Sequence, residues 1–290
     1  MITPSDFRSA LLDTGSFIHE GRQTAPRMFL NLRFHCSFVR RLARGGKAAR
    51  LATNEAAAYE EAFKTSVDMF DNVAQFGGGI DITHFERARG VLGKPAVYVA
   101  NHLSPLETYL LPGILFSFGN MSVVAKTSLL KLPYLGDILR ASRPIALERQ
   151  EPKKDLLQVL EQGEVLLREG RAILLFPEGT RRDVFDPRRF NTLGEKLSSR
   201  AGVPLVPVAA DTRFQSLGKG VFRDFGPIRP NFTVRFECGE PVPPGLPAKE
   251  RHAQCISFIR DRLQAWGVPV VNESAREDTR PPALTIKDPP

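Results

Sequence analysis

Three cysteines in 290 residues, Cys36, Cys238 and Cys255, are too few and too scattered for a disulfide framework, and no CxxC pair offers a zinc site. That usage fits a reducing compartment. Neither a Walker loop nor a dinucleotide glycine fingerprint occurs, so those phosphate-binding architectures are set aside. A nucleophile elbow of the G-x-S-x-G type is also missing; Gln215-Ser216-Leu217-Gly218 lacks its first glycine. No charged n-region followed by an apolar h-region marks a signal peptide, so the expected location is the cytoplasmic side. Long apolar runs are equally scarce. Thr108 to Ala125 is uncharged over 18 residues, but Pro112, Gly113, Gly119 and Asn120 interrupt it. A membrane span is therefore not expected there. A buried or membrane-facing helix over 105–117 and a strand over 121–125 are.

One stretch has no acid at all. Residues 21–50 contain Arg22, Arg27, Arg33, Arg40, Arg41, Arg44, Lys47 and Arg50, and this segment alone carries the chain's whole excess of +8. At helical spacing Arg33, Arg40, Arg44 and Lys47 fall on one narrow stripe, with Leu32, Phe34, Phe38, Val39 and Leu42 spread around the remaining arc. This is the pattern of a basic amphipathic helix on an anionic lipid surface. The same arc could instead pack on the protein core. Nucleic acid is not expected as a partner, because no nucleic-acid motif accompanies the stripe.

What is present elsewhere alternates strand and helix. With 42% hydrophobic residues there is material for a sizeable core. Strand-like runs at 94–100, 172–176, 203–208 and 232–236 are interleaved with helical spacing at 152–168, 191–200 and around Ala253, Ile256, Ile259, Leu263 and Trp266. The expected class is α/β: a central, mostly parallel or mixed sheet flanked by helices, preceded by the basic helical segment. The expected division is 1–79 as an N-terminal membrane-associating helical segment, 80–269 as the catalytic domain and 270–290 as a mobile tail. The run Gly77-Gly78-Gly79 reads as a flexible junction between the first two.

Two short stretches carry chemistry. In Asn101-His102-Leu103-Ser104-Pro105-Leu106-Glu107 an imidazole and a carboxylate are separated by a break, where a strand gives way to a helix opened by Ser104-Pro105. A carboxylate that fixes one ring nitrogen leaves the other to take a proton from a substrate hydroxyl, a step worth roughly 10²–10⁴-fold in rate. The competing interpretation is a capping box, in which Glu107 merely bonds the amide of Ser104. The second stretch, Phe176-Pro177-Glu178-Gly179-Thr180-Arg181, follows an apolar strand and reads as an anion cradle built from a glycine turn and arginines, or as an ordinary charged turn.

Together and in this order, the stretches resemble the glycerolipid acyltransferase family, which includes bacterial lysophosphatidic acid and glycerol-3-phosphate acyltransferases. Its NH-x4-D motif is matched by Asn101, His102 and Glu107 with one change, and its FPEGTR motif by Phe176 through Arg181 residue for residue. Pro144 through Arg149 resembles the arginine-bearing motif between them, and Val203 through Val208 the proline-punctuated fourth. The likeness covers roughly residues 80–245. It implies an O-acyltransferase in which His102, oriented by Glu107, deprotonates an acceptor hydroxyl that attacks acyl-CoA or acyl carrier protein. It further implies that Arg149, Glu178, Gly179, Thr180 and Arg181 hold the acceptor's phosphate, with no metal or redox cofactor beyond the acyl-donor co-substrate. Lysophosphatidic acid is the favoured acceptor. Glycerol-3-phosphate, a lyso-aminolipid, a thioesterase or lipid hydrolase activity, and a non-catalytic lipid-binding role are the alternatives. The enzyme would sit peripherally on the cytoplasmic face of the membrane, its stripe of Arg33, Arg40, Arg44 and Lys47 against anionic lipid. The departure is Glu107, one methylene longer than the family's aspartate.

Overall fold

Short aliphatic runs form the middle of the molecule. The computed structural model describes residues 1–22, 29–91 and 93–271, and within them eight strands make one sheet. They are β1 (Phe17–His19), β2 (Gly79–Thr83), β3 (Val97–Ala100), β4 (Met121–Lys126), β5 (Ile145–Leu147), β6 (Ala172–Leu175), β7 (Leu205–Asp211) and β8 (Thr233–Cys238). Their order across the sheet is β1-β2-β8-β7-β3-β6-β4-β5. The pairings around β3 are parallel, to β6 on one side and β7 on the other, while β7–β8 and β1–β2 are antiparallel. The expected mixed α/β class is the one adopted.

Every residue of β3 and β7 is buried, as befits parallel strands covered on both faces. Successive side chains alternate between two apolar cores. Tyr98, Ala100, Leu174 and Val206 face one, Val97, Val99, Ile173 and Leu205 the other. The first core is closed by α1 (Pro4–Thr14), α2 (Leu30–Leu51), α3 (Glu55–Gln75), α4 (Glu107–Phe116) and α6 (Leu135–Ala141), with the short α5 (Thr127–Leu130) leading into α6. The second is closed by α7 (Pro152–Arg168), α8 (Leu193–Ala201) and α9 (Ala248–Ala265).

One expectation is corrected here. The glycine run is no flexible junction. Gly79 opens β2 in register with Thr233, the Gly77 carbonyl accepts the Asn231 amide at 2.7 Å, and a Cβ on Gly78 would lie 2.3 Å from Val73. Within 1–79, Phe7, Phe34, Phe63 and Phe70 share one core with β2, β7 and β8. An amphipathic N-terminal segment buries its apolar face wherever an apolar sheet face is open to it. The expected tail lies outside the described residues from 272 onward. Its first two residues are anchored, with Val270 bridging Phe185 and the Val271 amide donating to the Phe185 carbonyl at 2.9 Å.

The basic helix divides its apolar arc between two environments. Phe34 and Phe38 enter the core, whereas Leu32 and Val39 remain 60% and 45% exposed. Arg33, Arg40, Arg44 and Lys47 are all exposed, Arg44 forming an ion pair with Asp68 of α3.

Candidate active site

In a parallel arrangement the carboxyl ends of neighbouring strands come to one edge, and there the loops gather chemistry from distant parts of the chain. His102 follows β3, Arg149 follows β5, Glu178 to Arg181 follow β6 and Thr212 follows β7. The loop after β3 is clamped. The Asn101 side chain donates to the Ala210 carbonyl and accepts from the Ala210 amide, both at 2.8 Å. On the other side the His102 amide donates to Glu178 Oε1 at 2.7 Å, and the His102 carbonyl accepts from the Arg182 amide at 3.0 Å.

His102 is 8% exposed, its ring stacked on Phe176 with centroids 4.5 Å apart. Nδ1 lies 2.9 Å from Glu107 Oε1. Nε2 has no hydrogen-bond partner among the described residues, which leaves it to a substrate. Glu107, fully buried, is saturated. Oε1 also accepts the Ser104 amide at 2.7 Å, while Oε2 accepts from the Thr212 hydroxyl and lies 3.1 Å from Ser104 Oγ. The capping and orienting roles proposed for Glu107 are thus one arrangement, because the same oxygen serves both. α4 begins at Glu107 rather than Pro105, since residues 104–106 form the turn that brings the carboxylate back to the ring.

Two carboxyls here titrate in opposite directions. Burial alone would raise Glu107, but the hydrogen bond and charge of His102, with Thr212 and the Ser104 amide, outweigh it and hold the carboxyl below its ordinary value. Burial pushes Glu178 up to about 8, against the pull of the His102 amide, and the Glu107 charge adds to the rise. Its Oε2 has no partner. Glu178 therefore braces the backbone of His102 through a carboxyl whose charged form burial disfavours.

The arginines gather beside this pair. Arg149, in the left-handed region at φ 59°, donates through Nη1 to the Gly179 carbonyl, and Gly179 itself turns at φ 70°. Burial, opposed by Asp155 and reinforced by the positive Arg181, lowers the Arg149 guanidinium from its usual range. Arg181 is paired with Asp224. An open cleft of ≈ 550 Å³ runs past Thr180, Arg181, Arg182, Arg188, Arg189 and Arg223. Among the described residues, no group of three His, Cys, Asp or Glu side chains is arranged to hold a metal ion. Nor is any helix of those residues long and apolar enough to cross a membrane.

Sequence reasoning missed Thr212, Asp224 and the Asn101 brace. Thr212 directly follows β7, the strand beside β3, so the strand order is the signal that would have found it; Asp224 comes from an irregular loop that carries none.

Residues 78–211 match the family model described as Acyltransferase. A 1-acyl-sn-glycerol-3-phosphate acyltransferase of Pseudomonas aeruginosa is 40% identical over 173 residues, 60% of this chain and 62% of that protein. Enzymes of that name from Saccharomyces cerevisiae and, as its beta form, Homo sapiens are 33% and 32% identical, over 38% and 41% of their lengths and 40% of this chain in each case. The chain thus spans less than two thirds of the curated relatives it matches. The crystal structure of the Thermotoga maritima 1-acyl-sn-glycerophosphate (LPA) acyltransferase PlsC superposes with a TM-score of 0.64 at 20% identity, covering 84% of this chain and 97% of that one. It shares the fold.

Proposed function

From the match of residues 78–211 to the family model described as Acyltransferase, we propose that the chain transfers a fatty acyl group from acyl-CoA or acyl carrier protein to the free hydroxyl of lysophosphatidic acid. The observation that carries this reading is the 2.9 Å contact between His102 Nδ1 and Glu107 Oε1 inside that domain. In the proposed reaction Nδ1–H donates to Glu107 and Nε2 accepts the proton of the acceptor hydroxyl. The oxygen attacks the thioester carbonyl carbon. As the tetrahedral intermediate collapses, the C–S bond breaks and the imidazolium returns its proton to the departing thiolate. Arg149 and Arg181 would draw the acceptor phosphate to the mouth of the site, charge-assisted and bidentate. Asp224 must yield Arg181 for this. The acyl thioester is the only co-substrate the scheme requires.

The preference for lysophosphatidic acid rests on the two arginines and on the activity for which the relatives are named. A peripheral position on the cytoplasmic face of an anionic membrane, with Arg33, Arg40, Arg44 and Lys47 toward the lipid, follows from the exposed basic stripe of α2.

The test is thiol release from palmitoyl-CoA and from palmitoyl carrier protein, with and without lysophosphatidic acid, for wild type and His102→Ala. Release that needs the acceptor and disappears in the variant supports acyl transfer. Release without acceptor would make the protein a thioesterase, and none with either donor would overturn the proposal.

A further inference from the structure

Between β7 and β8 the chain leaves the sheet, and residues 215–228 form a loop closed on itself. The Ser216 amide donates to the Pro227 carbonyl at 2.9 Å and the Gly218 amide to the Arg223 carbonyl at 2.8 Å, while Gln215 and Ile228 form an isolated bridge. Its base is fixed to α2. Asn31 Oδ1 accepts the Ile228 amide at 3.0 Å, His35 Nε2 lies 2.9 Å from the Gly226 carbonyl oxygen, and the rings of His35 and Phe225 are 5.4 Å apart. The loop is therefore shaped by its backbone and by α2. Nevertheless Phe222 is 67% and Phe225 50% exposed. Large aromatics held in water on a preorganised loop mark a surface that something else covers.

The neighbouring surface says what. Asn31 and His35 lie on the flank of α2 that borders the exposed strip of Leu32, Cys36 and Val39, and the stripe of Arg33, Arg40 and Lys47 runs along that strip's far side. The loop thus continues the apolar strip rather than the basic one, and adds the exposed Lys219 and Arg223 at its own rim. Apolar side chains at the centre with cations around them complement an anionic bilayer. The loop is also bonded to the anion site, since Arg223 Nη2 donates to the Arg181 carbonyl at 2.7 Å and Asp224 pairs with the Arg181 guanidinium.

We propose that loop 215–228 is a second membrane-contacting element, which inserts Phe222 and Phe225 into an anionic bilayer beside α2 and so holds Arg181 at the lipid surface. The proposal deepens the membrane-facing reading of α2, yet its test needs no turnover. Binding of the full chain to vesicles of phosphatidylglycerol and phosphatidylcholine is measured by flotation. Phe222→Ser/Phe225→Ser is expected to bind roughly tenfold more weakly or worse, since each phenyl ring loses its transfer from water. Phe222→Ser alone carries the test should the Phe225 change, which touches His35, unfold the protein. In the second arm, Phe222→Trp is expected to be quenched by brominated phospholipid beyond the quenching of wild type, whose sole tryptophan is Trp266. Undiminished vesicle binding by the serine variants, or no added quenching, overturns the proposal. So does a phenylalanine-dependent self-association in sedimentation with lipid binding unchanged, which would make the patch a protein interface. Phe222-dependent vesicle binding by a chain devoid of acyl transfer would sink the proposed reaction and leave this proposal standing.

Discussion

At the scale of the residue, the site is built for a glutamate. Four donors converge on the Glu107 carboxylate: the His102 ring, the Ser104 amide and the hydroxyls of Ser104 and Thr212. An aspartate at 107 would withdraw the carboxylate by about a bond length, and a misplacement of about 1 Å can cost on the order of 10²-fold in rate. Glu107→Asp is accordingly expected to lower kcat by about 10- to 100-fold, measured as acceptor-dependent thiol release; equal or higher turnover would show that the clamp does not position the base. The His–Glu pair was legible because both members fall in one short motif, whereas Thr212, just past a strand far along the chain, was not. Glu178 gives a second prediction. Its carboxyl titrates near its ordinary value when unfolded but at about 8 when folded, so folding takes up a proton between those values. The unfolded state ionises first as pH rises from about 4.5. Stability is therefore intact below that pH and is lost progressively up to about pH 8. A glutamine keeps the acceptor for the His102 amide and removes the charge. Glu178→Gln should match wild type in denaturant titrations at pH 4.5 and exceed it by on the order of 3 kcal/mol at pH 8. A constant difference across that range would refute the burial argument.

At the scale of the element, helices with their own start and stop signals were the easiest to foresee. α7 occupies the expected residues, with Pro152 at its first turn and Gly170 just beyond its end. α4 starts late because Glu107 is drawn to the histidine, and the β7 run extends to Asp211 because β8 pairs with it from Val208 to Asp211, beyond the end of its pairing with β3. What no local pattern announces is how α8 and α9 are joined. Arg251 of α9, fully buried, reaches Ser199 Oγ at 2.5 Å, Glu195 Oε1 at 3.4 Å, the Val203 carbonyl at 3.3 Å and the Ser198 hydroxyl. A charged residue near the apolar stripe of α9 reads as surface until its partners on α8 are seen. Replacing it strands Glu195, itself buried, as an unpaired charge. Arg251→Met is expected to cost about 3–5 kcal/mol, and a further Glu195→Leu to recover most of that. Chemical denaturation of the two variants checks it; a double variant no more stable than the single would show that packing, not charge, sets the loss.

At the scale of the molecule, the sheet's parallel centre brings the candidate site to one edge, and α2 with the 215–228 loop borders that same edge. The hydrogen bonds that join the loop to Asn31 and His35 on one side and to the Arg181 segment on the other connect the surface of α2 to the arginine-lined cleft in two steps. The uneven charge has a place in this arrangement. The +8 of residues 21–50 equals that of the entire chain, so the remainder has no net charge, and the exposed Arg33, Arg40 and Lys47 give one face of α2 its cations. Such a face should orient the protein on anionic lipid before apolar contact is made, because Coulomb attraction reaches about 10 Å at 0.1 M salt while apolar burial needs touch. Arg33→Gln/Arg40→Gln/Lys47→Gln removes three exposed cations at no apolar cost. With each near-surface cation worth about 1 kcal/mol, binding to phosphatidylglycerol vesicles should fall by roughly 10²-fold at low salt. The gap should close toward 1 M salt, where screening falls to about 3 Å and the remaining, salt-insensitive binding is set by Leu32, Val39, Phe222 and Phe225. A gap that persists at high salt would mean that the substitutions act through the fold of α2 rather than through its field. Equal binding of wild type to neutral vesicles would remove the electrostatic step altogether.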